Sequence, residues 1–131
     1  MTSGVLFISP SADDARTLSE MLSLVGIPFV HARNLSQARN MLEARVFGAV
    51  LTEARLPDGG WLDVIRLVAR IKRRVAVVVT DMLADARFWA DVLESGAYDL
   101  LPKPFCSGEV QRILANAVDQ PPLLNRAISA A

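Results

Sequence analysis

Ala49-Val50-Leu51-Thr52-Glu53-Ala54-Arg55-Leu56-Pro57-Asp58-Gly59-Gly60 is an apolar run that ends in one carboxylate and then a proline and glycine turn. A short run that is apolar at consecutive positions suits a strand buried on both faces, as in a parallel sheet. In open α/β sheets, ligands and chemistry gather at the carboxyl ends of the strands, which puts Glu53 at the natural centre of a site.

The rest of the chain supplies the sheet. Val5-Leu6-Phe7-Ile8 is a second apolar run, closed by Ser9-Pro10. Ser11 precedes Asp13 and Asp14, acids that favour a helix start, and Ala15, Leu18, Leu22 and Val25 then recur at helical spacing as far as Gly26. A weaker strand over 27–32 leads to Asn34, which opens a helix carrying Leu35, Ala38, Met41 and Leu42. After the Glu53 strand come a helix over 61–71, the most apolar strand at 75–80, a helix over 84–95 stopped by Gly96, a short strand at 99–101 and a helix over 107–119. Strict alternation of strand and helix implies a parallel sheet with right-handed crossovers and helices on both faces, a three-layer α/β sandwich.

The chain has 131 residues, enough for one domain with a sizeable core. We assign 1–120 to that domain and 121–131, which begins with Pro121-Pro122, to a C-terminal tail or linker. Fourteen basic and 14 acidic residues cancel, so no global field draws nucleic acid or an anionic membrane. Cys106 stands alone, excluding an internal disulfide and a cysteine metal cluster. No apolar run reaches the ~18 residues of a membrane span, and the N-terminus lacks a secretory pattern. The chain reads as cytoplasmic.

Leu56-Pro57-Asp58-Gly59-Gly60 after strand three, Val77-Val78-Val79-Thr80 at strand four, Gly96-Ala97-Tyr98-Asp99 and Lys103-Pro104-Phe105 together resemble the receiver domain of bacterial two-component response regulators, over about residues 4–119. With Trp61 and Leu83-Ala84-Asp85-Ala86-Arg87-Phe88-Trp89 added, the chain looks like a divergent subfamily that lacks the usual acceptor. The resemblance implies a flavodoxin-like (βα)5 sandwich with five parallel strands in the order 2-1-3-4-5. It also implies a phosphorelay role: an Asp at the end of strand three accepts a phosphoryl group, that Asp and an acidic pair after strand one hold Mg²⁺, and a lysine and a Thr or Ser bind the phosphoryl oxygens. In this chain Glu53 stands at the acceptor position, Thr80 and Lys103 match the phosphoryl pocket, and Ser9 and Pro10 replace the acidic pair. The resemblance implies a cis Lys103–Pro104 bond, and it places Leu100 where the family has its switch aromatic.

Phosphoryl transfer depends on positioning and charge neutralisation. Glu is one methylene longer than Asp, which displaces its oxygens by ~1.5 Å, and a 1 Å error can cost ~100-fold. Mg²⁺ asks for near-octahedral oxygen ligands, and a serine plus a proline offer one weak neutral side-chain ligand. We therefore expect no metal, no cofactor and no enzymatic turnover. Asp13 and Asp14 are expected to complement the helix dipole, and Asp58 to serve its turn. Glu53 then reads either as a fixed charge that holds a pseudo-receiver in one signalling conformation or as a plain ion pair with Lys103. Thr80 by itself is an ordinary strand residue.

The expected partner surface lies on helix four. Ala86, Ala90, Leu93 and Ala97 form a stripe for the sheet, leaving Phe88, Trp89 and Val92 for the other side, with Leu100 on the neighbouring strand. Helix four, strand five and helix five form the family's usual dimer or effector face. A sensor kinase, an effector or a second copy of the chain are the expected partners, without direct nucleic-acid or membrane binding. His31 is expected at the surface, Trp61 at the start of helix three, and Cys106 near the start of helix five without a redox role. Two other functions stay open: a phosphoaccepting receiver using Glu53, and a small-ligand sensor on the same fold. Against the latter, Ser9-Pro10-Ser11-Ala12 after strand one is not a glycine-rich phosphate loop.

Overall fold

The computed structural model describes residues 4–71, 74–82 and 85–119. Its elements are β1 (Gly4–Ile8), α1 (Ala12–Ser23), β2 (Phe29–Ala32), α2 (Leu35–Ala44), β3 (Phe47–Glu53), a small hairpin β4 (Arg55–Leu56) and β5 (Gly59–Gly60), α3 (Trp61–Arg70), β6 (Ala76–Asp81), α4 (Ala86–Glu94), β7 (Asp99–Pro102) and α5 (Ser107–Val118). The expected tail, 121–131, lies outside the described residues.

β2-β1-β3-β6-β7 form one parallel sheet of five strands. That is the expected order 2-1-3-4-5, with the unforeseen hairpin taking two strand numbers. Adjacent side chains on each strand point to opposite faces. Leu6, Ile8, Val50, Val77, Val79 and Leu100 pack towards the side of α2, α3 and α4. Val5, Phe7, Ala49, Leu51, Val78 and Leu101 pack towards α1 and α5. Two cores explain why the strands are apolar at every position, each fully buried Val, Leu, Ile or Phe contributing about 1.5–3 kcal/mol.

The helices begin where short polar side chains accept backbone N–H bonds. Ser11 Oγ accepts from Asp14 N at 3.1 Å, Asn34 Oδ1 from Gln37 N at 2.8 Å and Asp85 Oδ1 from Phe88 N at 2.8 Å, each cap stabilising its helix by about 1 kcal/mol. Gly96, with φ 104°, ends the turn after α4 in a conformation that only glycine adopts freely.

α4 is rotated relative to the sequence expectation. Val92 is completely buried, Ala97 is buried, and Phe88 is half-buried, its ring edge-on to Trp61 at 6.0 Å. Ala86, Ala90 and Leu93 face solvent together with Trp89, which is 38% exposed. The reason is area: Phe88 and Val92, four residues apart, remove more apolar surface from water than an alanine stripe, and Trp61 supplies the surface that Phe88 meets. Leu100 is likewise no surface residue. Strand alternation on β7 turns it into the core between sheet and α4, where it is 1% exposed.

Candidate functional site

Three strand ends meet at one edge of the sheet. β3 ends on Glu53, whose register partner on β6 is Thr80, Ser9 follows β1, and Lys103 follows β7. The Lys103–Pro104 peptide is cis. The Lys103 amine lies 2.8 Å from each carboxylate oxygen of Glu53. It also donates to Asp14 Oδ2 at 2.7 Å. Ser9 Oγ donates to Glu53 Oε2 at 2.9 Å and accepts from the backbone N–H of Ser11 at 3.0 Å. Ser9 is thereby a link between the acid and the start of α1. Pro10 is exposed and brings no side-chain donor or acceptor.

Lys103 and Glu53 side chains are 13% and 15% exposed, Asp14 29%. Burial alone would push the lysine pKa down, but the hydrogen bonds to Asp14 and Glu53 and their negative charge outweigh it and hold the pKa above 10.5. Two carboxylates share one ammonium, so the cluster carries a net charge of −1. Charge-assisted bonds of this length are the strong kind, and both carboxylates spend one on the same amine.

Thr80 is completely buried, and among the described residues its Oγ1 has no hydrogen-bond partner. A cavity of about 500 Å³ opens beside the cluster, lined by Asp14, Thr17, Met82, Lys103, Pro104 and Phe105. The Phe105 ring lies 5.8 Å from the lysine amine. Among the described residues no group of three or more His, Cys, Asp or Glu side chains is placed to hold a metal ion.

A family model of the response regulator receiver domain matches residues 5–115. The chain belongs to the response regulator receiver family. Among curated proteins, this receiver is 27% identical over 113 residues to the response regulator protein PilR of Pseudomonas aeruginosa, covering 86% of this chain and 25% of that protein. It is 24% identical over 106 residues to the swarming motility regulation protein RssB of Serratia marcescens, covering 81% of this chain and 48% of that protein. The receiver thus spans less than half the length of these relatives. Its fold matches the signal receiver domain of a Luxo repressor protein from Vibrio parahaemolyticus, with TM-score 0.85, 17% identity and 92% of each chain covered. It also matches the beryllofluoride-activated NtrC4 receiver domain dimer, with TM-score 0.82, 21% identity, and 88% of this chain and 96% of that one covered.

Within this receiver the fold brings Glu53, Thr80, Lys103 and Ser9 to one edge, and adds a residue that sequence reasoning set aside. Asp14 was expected only to cap α1. Its backbone N–H does bond to Ser11, yet its carboxylate turns inward to Lys103, while Asp13 takes the exposed role with Arg16 at 3.1 Å. The available signal was its place in the first turn of α1, whose N-terminus sits at the same sheet edge as Lys103. His31, expected at the surface, is half-buried; its Nε2 donates to the Ser9 carbonyl at 2.8 Å and its ring stacks on Phe7 at 5.8 Å. Asp58 caps α2 from outside, accepting from Leu35 N at 2.8 Å and Ser36 N at 3.0 Å. The bond from Leu35 leads in holding its carboxyl below 3.8. Of the expected contact residues, Trp89 remains exposed, Phe88 is half-buried, and Val92 and Leu100 are in the core.

Proposed function

We propose that this receiver is a pseudo-receiver: a signalling module of a two-component phosphorelay that works through protein contacts, without accepting a phosphoryl group and without catalytic turnover. The observation that carries the proposal is the Lys103 amine held between Glu53 and Asp14 at 2.7–2.8 Å. In a phosphoaccepting site the lysine must be available to the incoming phosphoryl oxygens. Here Glu53 and Asp14 already take that place as fixed anions.

The Mg²⁺ that the family implies does not fit these residues. Octahedral coordination at ~2.1 Å needs several free oxygen ligands. Ser9 Oγ is a neutral oxygen that already accepts from Ser11 N, Pro10 offers no side-chain oxygen, and Glu53 and Asp14 are both bonded to Lys103. We derive no step through the metal. Incubation with acetyl phosphate and Mg²⁺ followed by intact-mass measurement tests the proposal. The expected spectrum is that of the unmodified chain, and a stoichiometric phosphoryl adduct mapped to Glu53 would replace the pseudo-receiver with a phosphoaccepting one.

The contacts are assigned to the face of α4, β7 and α5, acting in the cytoplasm on a sensor kinase, an effector or a second copy. On α4, Ala86, Trp89, Ala90 and Leu93 recur at i, i+3, i+4 and i+7 and all face solvent, an apolar stripe on a helix whose other face is in the core. The NtrC4 receiver is a dimer, which supports the self-association version. A second function, a small-ligand sensor, is favoured by the cavity of about 500 Å³ at the cluster, a volume within the usual range of ligand pockets. Thermal-shift screening with nucleotides, flavins and cyclic dinucleotides separates the two, since a pure contact module gives no saturable shift.

A further inference from the structure

A second feature lies away from both the Glu53 cluster and the α4 stripe. Between α2 and α3 runs a groove of about 220 Å³, lined by Leu35 and Arg39 on one side and Asp63, Arg66, Leu67 and Arg70 on the other. The three arginines are exposed, while Leu35 and Leu67 form a buried apolar floor. Arg66 and Arg70 are one turn apart on α3, a like-charged spacing that works against the helix, and Arg39 adds a third positive charge from the opposite wall.

The acids nearby are anchored on backbone N–H groups and offset only part of this charge, Asp63 as a long ion pair with Arg66 and Asp58 through its electrostatic interaction with Arg39. Asp63 Oδ2 accepts from Gly60 N at 2.9 Å, and Oδ1 lies only at 3.8 Å from Arg66. Asp58 accepts from the first two amides of α2. Among the described residues, neither Arg39 nor Arg70 has a carboxylate at ion-pair distance. The sequence continues basic through Lys72, Arg73 and Arg74. Arg39, Arg66 and Arg70 against Asp63 make the lining of this cleft a local excess of guanidinium in a chain of zero net charge.

The geometry points to the α2–α3 groove as a docking site for an acidic segment of a protein partner, with carboxylates on Arg39, Arg66 and Arg70 and one apolar side chain on Leu35 and Leu67. Guanidinium groups pair with carboxylates bidentately, which suits a planar anion better than a diffuse one. The cleft holds one or two side chains, not a duplex backbone, and a net charge of zero gives no long-range field for nucleic acid. This site is independent of whether Glu53 accepts a phosphoryl group.

Fluorescence anisotropy with a labelled peptide of glutamates flanking a leucine tests it, with amide chemical-shift mapping of the whole chain. Expected are saturable, salt-sensitive binding, shifts confined to α2 and α3, and affinity at least about tenfold weaker in Arg66→Glu/Arg70→Glu and weaker in the neutral Arg39→Gln. Arg16→Glu, on the other side of the sheet, should bind as the parent does. Absence of binding, shifts elsewhere, equal binding by the charge-reversed variant, or tighter binding of a short duplex DNA through the same arginines would each overturn the assignment.

Discussion

Asp14 and Lys103, 89 residues apart in sequence, are joined by a 2.7 Å bond between the first turn of α1 and the loop after β7. The bond ties the start of α1 to the strand ends at the sheet edge, because Glu53, the lysine's other partner, ends the central strand. A lysine with two anionic partners is held more firmly than one with a single partner, and its position is then set by α1 as well as by β3.

Removing one partner should therefore release part of the lysine. Asp14→Asn is expected to lower the Lys103 pKa, read from the side-chain ¹³C or ¹⁵N shift against pH. The folded value lies above the unfolded 10.5, so the pairing contributes stability fully present below 10.5 and lost as pH rises through the folded value. Denaturant titrations should show the parent losing its advantage over Asp14→Asn only in that alkaline window. An unchanged lysine pKa would mean that Glu53 alone holds the amine.

The parallel sheet was legible because Val5–Ile8, Ala49–Leu51 and Val75–Thr80 are apolar at consecutive positions, a pattern that parallel strands covered on both faces produce, while its order came from the resemblance to the receiver family. Glu53 was legible as a site because it ends a strand of a parallel sheet, whereas Thr80 and Lys103 were picked out by the resemblance, and the shared edge of the strand ends is what brings them together. Asp14 was not, because an acid in a first helical turn has a sufficient local explanation and only the placement of α1 over the sheet distinguishes cap from pocket. The α4 face was illegible on other grounds. Ala86, Ala90 and Leu93 and the pair Phe88 and Val92 are both helical stripes, and the choice between them was made by Trp61, a residue of another helix. Asp58 looked like a turn residue, and its bonds to α2 depend on where the hairpin folds back.

Asp58→Asn should weaken the start of α2, lowering the melting temperature at neutral pH. The native carboxyl titrates below 3.8, so its contribution is present above that value and is lost as pH falls through the folded pKa. Melting curves of parent and variant should converge at strongly acidic pH. A gap that persists there would show that geometry, not charge, sets the cap.

Leu100 and Trp89 should separate stability from contact. Leu100→Ala removes a side chain that is 1% exposed and is expected to cost about 2–5 kcal/mol in denaturant unfolding. Trp89→Ser, on the solvent side of α4, is expected to stay within about 0.5 kcal/mol of the parent. The same Trp89 variant should shift light-scattering mass towards monomer if the α4 stripe pairs copies; an unchanged monomer leaves a heterologous partner for the stripe.

Thr80 offers the sharpest test of the pocket's state. Its hydroxyl is buried with no partner among the described residues, and a buried polar group without a bond carries its desolvation cost uncompensated. Valine has the same shape, prefers strands and has nothing to desolvate. Thr80→Val is therefore expected to leave stability unchanged or raise it, by up to about 1 kcal/mol in urea unfolding. In a site where the hydroxyl bonds to Glu53 or to a bound group, the same substitution would destabilise instead, and a loss of that size would show that Thr80 works with Glu53 and Lys103 rather than standing beside them.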